Sequence, residues 1–315
     1  MRSEFELIND IKSRYSLSKV GDDCAILPKD KKTDLLITSD MLVEGIDFRL
    51  DWSTPEQIGH KALAVSLSDI AATGGTPTHA MLSIGIVENL WKDDFLDRLY
   101  EGWHELALKF NVELIGGDIS RTSGPLTIDS TVLGEVPKGK ALLRSGAKPG
   151  DGVFVTGVLG GAAGGLRLLL DPPDVEVPPS PLLIGKQIKP MPQLMTGMLL
   201  QRHDLADAAI DLSDGLSSDL GHLCTTSRVG AEICADVLPI EPALATIFLP
   251  DECLDMALNG GEDFQLLFTG NEKKISAANI PHITRIGRIT ANAGIIELIS
   301  GDTRARIEPR GYRHF

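Results

Sequence analysis

The chain contains no Cys-x-x-Cys. Its cysteines are Cys24, Cys224, Cys234 and Cys253, and the closest two are ten residues apart. That spacing excludes a zinc ribbon or a thioredoxin-like motif, and thiols this sparse fit free cysteines in a reducing compartment. No His-x-x-x-His, and no comparable spacing of His with Cys, occurs among the seven histidines, which argues against zinc. Positive charge is scarce as well: 30 Lys and Arg against 44 Asp and Glu leave a formal charge of −14. Such a chain repels nucleic acid and anionic membrane, so small anions accompanied by metal cations are the better candidates for ligands. Long apolar runs are missing. The longest uncharged stretch, residues 70–87, is broken by Gly74, Gly75, Pro77 and His79, which does not suit a membrane span. The opening MRSEFELINDIKSRY turns acidic at Glu4 and has no signal-peptide core, so the expectation is a cytoplasmic protein. Nucleotide motifs are absent too. There is no G-x-G-x-x-G and no protein-kinase signature set. The nearest approach to a P-loop, Gly134 to Ala141, contains Pro137 and lacks the terminal Ser or Thr, and it reads as chance.

What is present is a globular chain of 315 residues, enough for two domains. Counting glycine, about half of it is apolar, which excludes disorder for most of its length. Residues 35–38, 80–87, 112–115 and 126–133 read as strands. Thr54-Pro55-Glu56-Gln57 opens a helix, with Thr54 as cap, Pro55 in the first turn and Gln57 completing a capping box; Gly74-Gly75 ends it. A second helix is predicted from about Asp93 to Phe110. The turn-rich stretch 137–151 places a boundary between an N-terminal unit, 1–137, and a C-terminal unit, 138–315. The second unit restarts with a strand at 152–158 and a Gly-rich turn into a helix. A proline-dense segment around Pro172, Pro173, Pro178, Pro179 and Pro181 reads as a surface loop. This mixed order favours α+β over a doubly wound parallel sheet.

Acidic residues recur at the ends of apolar segments in six places: VGDDCA (20–25), TSD (38–40), LSD (67–69), GGD (116–118), DLSDG (211–215) and GGED (260–263). Any one is explained by the turn preference of Asp, Gly and Ser; six together are not. Asp69 sharpens the case. It sits late in a helix, where the dipole disfavours negative charge by about 0.3–1 kcal/mol. Its neighbours are apolar, and no Lys or Arg occurs between Ala62 and Ile86. A cation brought in by the fold is the economical answer. Asp carboxylates with Ser and Thr oxygens are hard ligands that suit Mg²⁺ bridging to phosphates, which points to phosphoryl chemistry on a nucleotide.

Two features offer to hold the phosphates. Lys138, Lys140, Arg144 and Lys148 form the densest basic stretch, and Arg144 beside Ser145-Gly146 is placed to fork onto an anion. The Gly160-Gly161 and Gly164-Gly165 turn at a helix start is the other, although close helix–strand packing explains it better. Spacing does not settle which of Asp22 and Asp23 binds metal. Ser213 has the alternative of capping the helix near Asp214, and Tyr312 that of ordinary packing. No histidine is assigned a role.

Taken together, VGDDCA, TSDMLVEGIDF, KALAVSLSDIAATGG, LIGGDISR, RSGAKPGD, IDLSDGLSSDLGH, GGEDFQLLFT and the closing GYRHF resemble the thiamine-monophosphate kinase family of the aminoimidazole ribonucleotide synthetase superfamily. The blocks run in order along nearly the whole chain. The resemblance implies an N-terminal α+β domain whose sheet meets a second subunit's in a homodimer, with a C-terminal α+β domain folding over it. It implies conversion of ATP and thiamine phosphate to ADP and thiamine diphosphate with several Mg²⁺. Matched by motif, the metal ligands would be Asp23, Thr38, Ser39, Asp40, Asp69, Asp118, Asp211 and Asp214. ATP would be touched by Gly117, Asp118, Arg144 and Ser213, and the thiamine end by Asp47, Glu262 and Tyr312. Asp69, Asp118, Arg144 and Asp214 would carry the transfer. Asp47 stands where the family usually has His, and Arg313 where it commonly has Asp. Rival readings are another ATP-using enzyme of the superfamily and a non-catalytic Mg-nucleotide-binding regulator.

Overall fold

Two sheets, each flanked by helices, make up the computed structural model, which describes residues 4–171 and 180–312. The first sheet contains β1 (Ala25–Pro28), β2 (Thr33–Val43), β3 (Thr76–Ile86), β4 (Glu113–Arg121) and β5 (Thr127–Pro137), in the order β1-β2-β5-β3-β4. The second contains β6 (Gly152–Thr156), β7 (Ala208–Asp211), β8 (Gly230–Cys234), β9 (Leu266–Gly270), β10 (Ile283–Thr290), β11 (Ile296–Ser300) and β12 (Thr303–Arg306), in the order β12-β11-β8-β10-β6-β9-β7. Only β3–β4 and β8–β11 pair in parallel among the described residues. Mostly antiparallel sheets interleaved with helices are an α+β fold.

The strands of the first sheet are longer than their apolar cores predict. β2 alternates along its whole length, with Leu36, Thr38 and Leu42 buried on one face and Ser39 and Met41 exposed on the other. Its polar outer face hid its extent, and Asp40 and Asp118 consequently lie inside strands, not at their ends. Register sorts the polar residues by face. Met41, Asp129, Ser83 and Asp118 form one cross-strand row, while Asp40, Ser130, Leu82 and Gly117 form the adjacent row on the other face. Ser130 and Leu82 are buried, so the second row faces inward.

The helix Pro55–Ala72 packs on that inner face. Thr54 caps it: Gln57 N–H donates to Thr54 Oγ1 (3.4 Å), and Thr54 N–H to Gln57 Oε1 (2.8 Å), with Pro55 in the first turn as expected. From Ile58 to Ala72 nearly every residue is buried, because the helix lies between the sheet, the helix Phe95–Phe110 and the helix Leu194–Arg202. Leu63, Leu67 and Ile70 are wholly enclosed, and each such side chain stabilises the fold by roughly 1.5–3 kcal/mol. One continuous core runs from this helix into Phe154 and Phe268 of the second sheet, whose rings stack at 5.4 Å. Val153 and Val155, alternating with Phe154 on β6, face a second core with Leu216, Leu220 and Ile286. Both faces of β6 are therefore covered, which is why it reads as an unbroken apolar run.

Pro181 is part of a helix, Pro181–Ile188, capped by Ser180, and so leaves the proline-dense loop; Pro172, Pro173, Pro178 and Pro179 lie outside the described residues, as do Arg313 and His314. The cysteines are free, with Cys24, Cys224 and Cys253 buried. No helix among the described residues is long and apolar enough to cross a membrane.

Candidate active site

Four of the six acidic clusters meet where the two sheets adjoin. Asp23 comes from the bend before β1, Asp40 from the inner face of β2, Asp69 from the last turn of the Pro55–Ala72 helix, and Asp211 from the end of β7. Carboxylate oxygens of Asp23, Asp69 and Asp211 lie within 4.8 Å of one another. Thr38 Oγ1 donates to Asp69 in a short hydrogen bond, and Ser68 Oγ donates to Asp211 at 2.6 Å. One arginine answers them: Arg144 donates from Nε to Asp23 at 3.0 Å, while its backbone N–H donates to Asp22 at 2.9 Å. The structure thus separates the acidic pair, with Asp23 turned into the cluster and Asp22 used to fix the Arg144 loop. Lys138 and Lys148 are spent on Asp30 and Asp207, so Arg144 is the part of the basic stretch that reaches the cluster.

Burial and mutual repulsion hold these acids well away from their ordinary titration range. Desolvation, then the charges of Asp40, Asp211 and Asp23, push Asp69 well above 3.8. Asp211 is raised to about 7 and Asp40 to about 6, in both cases chiefly by burial. Asp23 is raised by burial against the opposing pull of Arg144. Asp40 Oδ2 is buried and has no hydrogen-bond partner. A single guanidinium cannot neutralise four carboxylates, and a buried acceptor left without a donor is costly. Both features fit a divalent cation with hard-oxygen preference, a class that includes Mg²⁺.

Asp40 also lines a cleft of about 690 Å³ that opens beside the cluster. Asp47, Ser213, Asp214, Glu262 and Tyr312 line it too. Asp47 accepts from Val43 N–H (2.7 Å), closing its own turn, and Tyr312 N–H donates to Asp214 O (3.0 Å). The Tyr312 hydroxyl is pushed up by burial and then by the charges of Asp47, Glu262 and Asp214, which line the same cleft. Ser213 does not cap the following helix, Leu216–Ser227; that helix begins at Gly215, where Asp219 accepts from the N–H groups of Asp214 and Gly215.

Other sequence candidates lie elsewhere. Ser39 and Asp118 are on the outward face of the first sheet, opposite Thr38 and Asp40, and Ser39 donates to Asp129 at 2.8 Å. Gly117, with φ +152°, sits on β4 so close to Leu82 that a Cβ would meet its carbonyl oxygen at 1.8 Å. The Gly-rich turn has a structural role. Gly160 N–H and Ala162 N–H donate to Asp263 (2.5 and 3.1 Å), so the helix start takes up the chain's own carboxylate. A Cβ at Gly165 would fall 2.1 Å from the Leu183 carbonyl oxygen, which makes close packing its function.

Sequence reasoning missed Lys61, Ser68, Asp129 and the grouping of Asp219 and His222 with Asp214. Lys61 had a signal, since it is the only Lys or Arg between Pro55 and Ala72. Asp129 had another, as a charge inside an apolar strand.

This arrangement of sheet, inward aspartates and capped helix defines a class. The family model described as AIR synthase related protein, N-terminal domain, matches residues 21–136. Among curated proteins, the thiamine-monophosphate kinase of Escherichia coli O157:H7 is 39% identical over 327 residues, covering 99% of this chain and 98% of its own. That of Bacillus subtilis (strain 168) is 38% identical, with 99% of each covered. A solved structure described as AaThiL complexed with AMPPCP and TMP superposes with a TM-score of 0.88 at 33% identity, covering 99% of this chain and 97% of the other. The chain belongs to the thiamine-monophosphate kinase family.

Proposed function

We propose that this protein transfers the terminal phosphoryl group of ATP to thiamine phosphate, giving ADP and thiamine diphosphate. The observation that carries the reading is the convergence of Asp23, Asp40, Asp69 and Asp211 beside a cleft lined by Asp47, Asp214 and Glu262. The relatives' shared name, and a relative's solved complex with AMPPCP and TMP, support both substrates. Asp23, Asp40, Asp69 and Asp211 would hold Mg²⁺, with Thr38 as a neighbouring oxygen and Asp214 at the cleft side. Ser39 and Asp118, on the outward face, would serve a separate ion or the nucleotide, together with Gly117. When bound, Mg²⁺ supplies cancellation of the repulsion between two polyanions.

The chain's own residues do the rest. A phosphate monoester has its second pKa near about 6, so the acceptor is already an anion at neutral pH. No side chain need remove a proton, which agrees with the acids that line the cleft. The acceptor oxygen attacks the γ-phosphorus in line, the bond to the bridging β–γ oxygen breaks, and ADP leaves with that electron pair. Arg144, held in place by Asp22 and Asp23, stabilises charge on the transferring group, and Ser213 touches the nucleotide. Asp47, Glu262 and Tyr312 receive the cationic thiamine end. We place the domain boundary at 137/138, expect a homodimer formed through the first sheet, and expect the protein in the cytoplasm.

A coupled ADP-release assay tests this directly. Thiamine diphosphate should form only with both substrates and vanish with EDTA. Tight ATP binding without turnover of thiamine phosphate would transfer the reading to another acceptor. A chemically competent phosphoenzyme in rapid quench would overturn direct transfer.

A further inference from the structure

Among the described residues, phosphoryl transfer as derived above leaves the buried ammonium of Lys61 without a task. The Lys61 side chain is 3% exposed, and its Nζ lies 2.8 Å from each carboxylate oxygen of Glu262. The same ammonium donates to the Asp47 backbone carbonyl at 2.8 Å. The Gln187 carboxamide donates to Glu262 as well, in a short hydrogen bond. One carboxylate therefore ties together the Pro55–Ala72 helix, the Pro181–Ile188 helix and the turn at 260–264, and Gln187, Asp47 and Glu262 all line the cleft.

The turn itself is strained. Glu262 and Phe264 have φ of +66° and +46°, left-handed values that residues other than glycine hold only where their surroundings over-determine them. Asp263, between them, is fixed by the N–H groups of Gly160 and Ala162. Lys61 and Gln187 fix Glu262 from the other side.

We propose that Lys61 is a positioning residue: it sets the orientation of Glu262 and of the Asp47 turn, and so determines affinity for the thiamine end of the acceptor. This rests on the reading above that Asp47 and Glu262 receive that end. Lys61 bonds to Glu262 and to the Asp47 carbonyl, both on the lining of the cleft, so its effect falls on acceptor binding and leaves the transfer step alone.

Steady-state kinetics with ATP and thiamine phosphate varied separately tests the proposal on Lys61→Met, Lys61→Arg, Glu262→Gln and the Lys61→Met/Glu262→Gln double variant. In Lys61→Met the stem is kept and the charge removed. Its KM for thiamine phosphate should rise about tenfold, with kcat and the KM for ATP within about twofold. Lys61→Arg should recover most of the loss, since it restores the charge on a comparable stem. The double variant should match Glu262→Gln within about twofold, because the two changes remove one interaction. It also retains charge balance, so it decides the matter if Lys61→Met fails to fold. Equal losses in kcat and both KM values, unchanged kinetics, or additive effects in the double variant would overturn the positioning role while leaving the kinase reading intact. Absence of thiamine phosphate turnover by the unmutated protein would overturn both.

Discussion

Asp69 and Asp263 are both largely desolvated carboxylates set at helix termini, and they are treated in opposite ways. Asp263 lies at the start of the Gly161–Leu170 helix and accepts from Gly160 and Ala162, so the helix's own N–H donors and a favourable dipole answer its charge. Asp69 lies in the last turn of the Pro55–Ala72 helix, where the dipole is unfavourable, and the nearest charges are Asp40, Asp211 and Asp23. Burial raises both, Asp263 to about 6 and Asp69 well above the ordinary value. The fold satisfies the first carboxylate, whereas it surrounds the second with like charges. A buried acid thus points to a ligand only when the chain supplies no adequate partner.

The largest test of this contrast is Asp69→Asn. Turnover should fall by about two to three orders of magnitude, as when an essential transition-state contact is removed. The fold should persist, and the thermal midpoint in EDTA should stay level or rise, because an uncompensated charge has gone. Near-normal activity would show that the helix end needs no cation. Next comes Asp263→Ala, for which the contrast predicts the reverse pattern. Losing the helix-start acceptor should lower unfolding stability by about 1–2 kcal/mol in urea titrations, equally with and without Mg²⁺. A loss that Mg²⁺ abolishes would place Asp263 in the metal site.

A pH series sharpens the comparison further. Asp40 at about 6 and Asp211 at about 7 stand above the ordinary 3.8, so between roughly pH 4 and 7 the folded chain binds more protons than the unfolded one. Metal-free stability from these groups is therefore full below that window and declines as pH rises through it. Saturating Mg²⁺ should flatten the decline, since metal competes with protons for the same oxygens. Thermal midpoints measured with EDTA and with Mg²⁺ check this, and an EDTA curve that rises across the window would contradict it. The smallest expected effect is that of Asp47→His, a several-fold change in the KM for thiamine phosphate exceeding that for ATP. Equal changes would remove Asp47 from the thiamine end.

Much of this was legible before any coordinates. The Pro55–Ala72 helix announced itself through its capping box and its stop at Gly74, and Asp69 through an apolar neighbourhood lacking any cation. The faces of the first sheet were partly legible: period-two alternation alone separates Thr38 and Asp40 from Ser39. The phase of Asp118 was not, because it depends on a parallel partner and on a register shift between Ala80 and Met81. The partner of Lys61 was unreadable for a related reason. It is 201 residues away, and a lone helical lysine ordinarily places its head in water. Asp263 looked like the other acids in sequence, and only the folded approach of the Gly160 turn gave it a different role.

The central claim is that the Asp23–Asp40–Asp69–Asp211 cluster is completed by a divalent cation. The most direct measurement is the shift in thermal midpoint produced by Mg²⁺ with a non-hydrolysable ATP analogue, compared among the unmutated protein, Asp69→Asn and Asp263→Ala. The account predicts a clear rise in the unmutated protein, a rise of the same size from a lower baseline in Asp263→Ala, and none in Asp69→Asn. An undiminished rise in Asp69→Asn would contradict it.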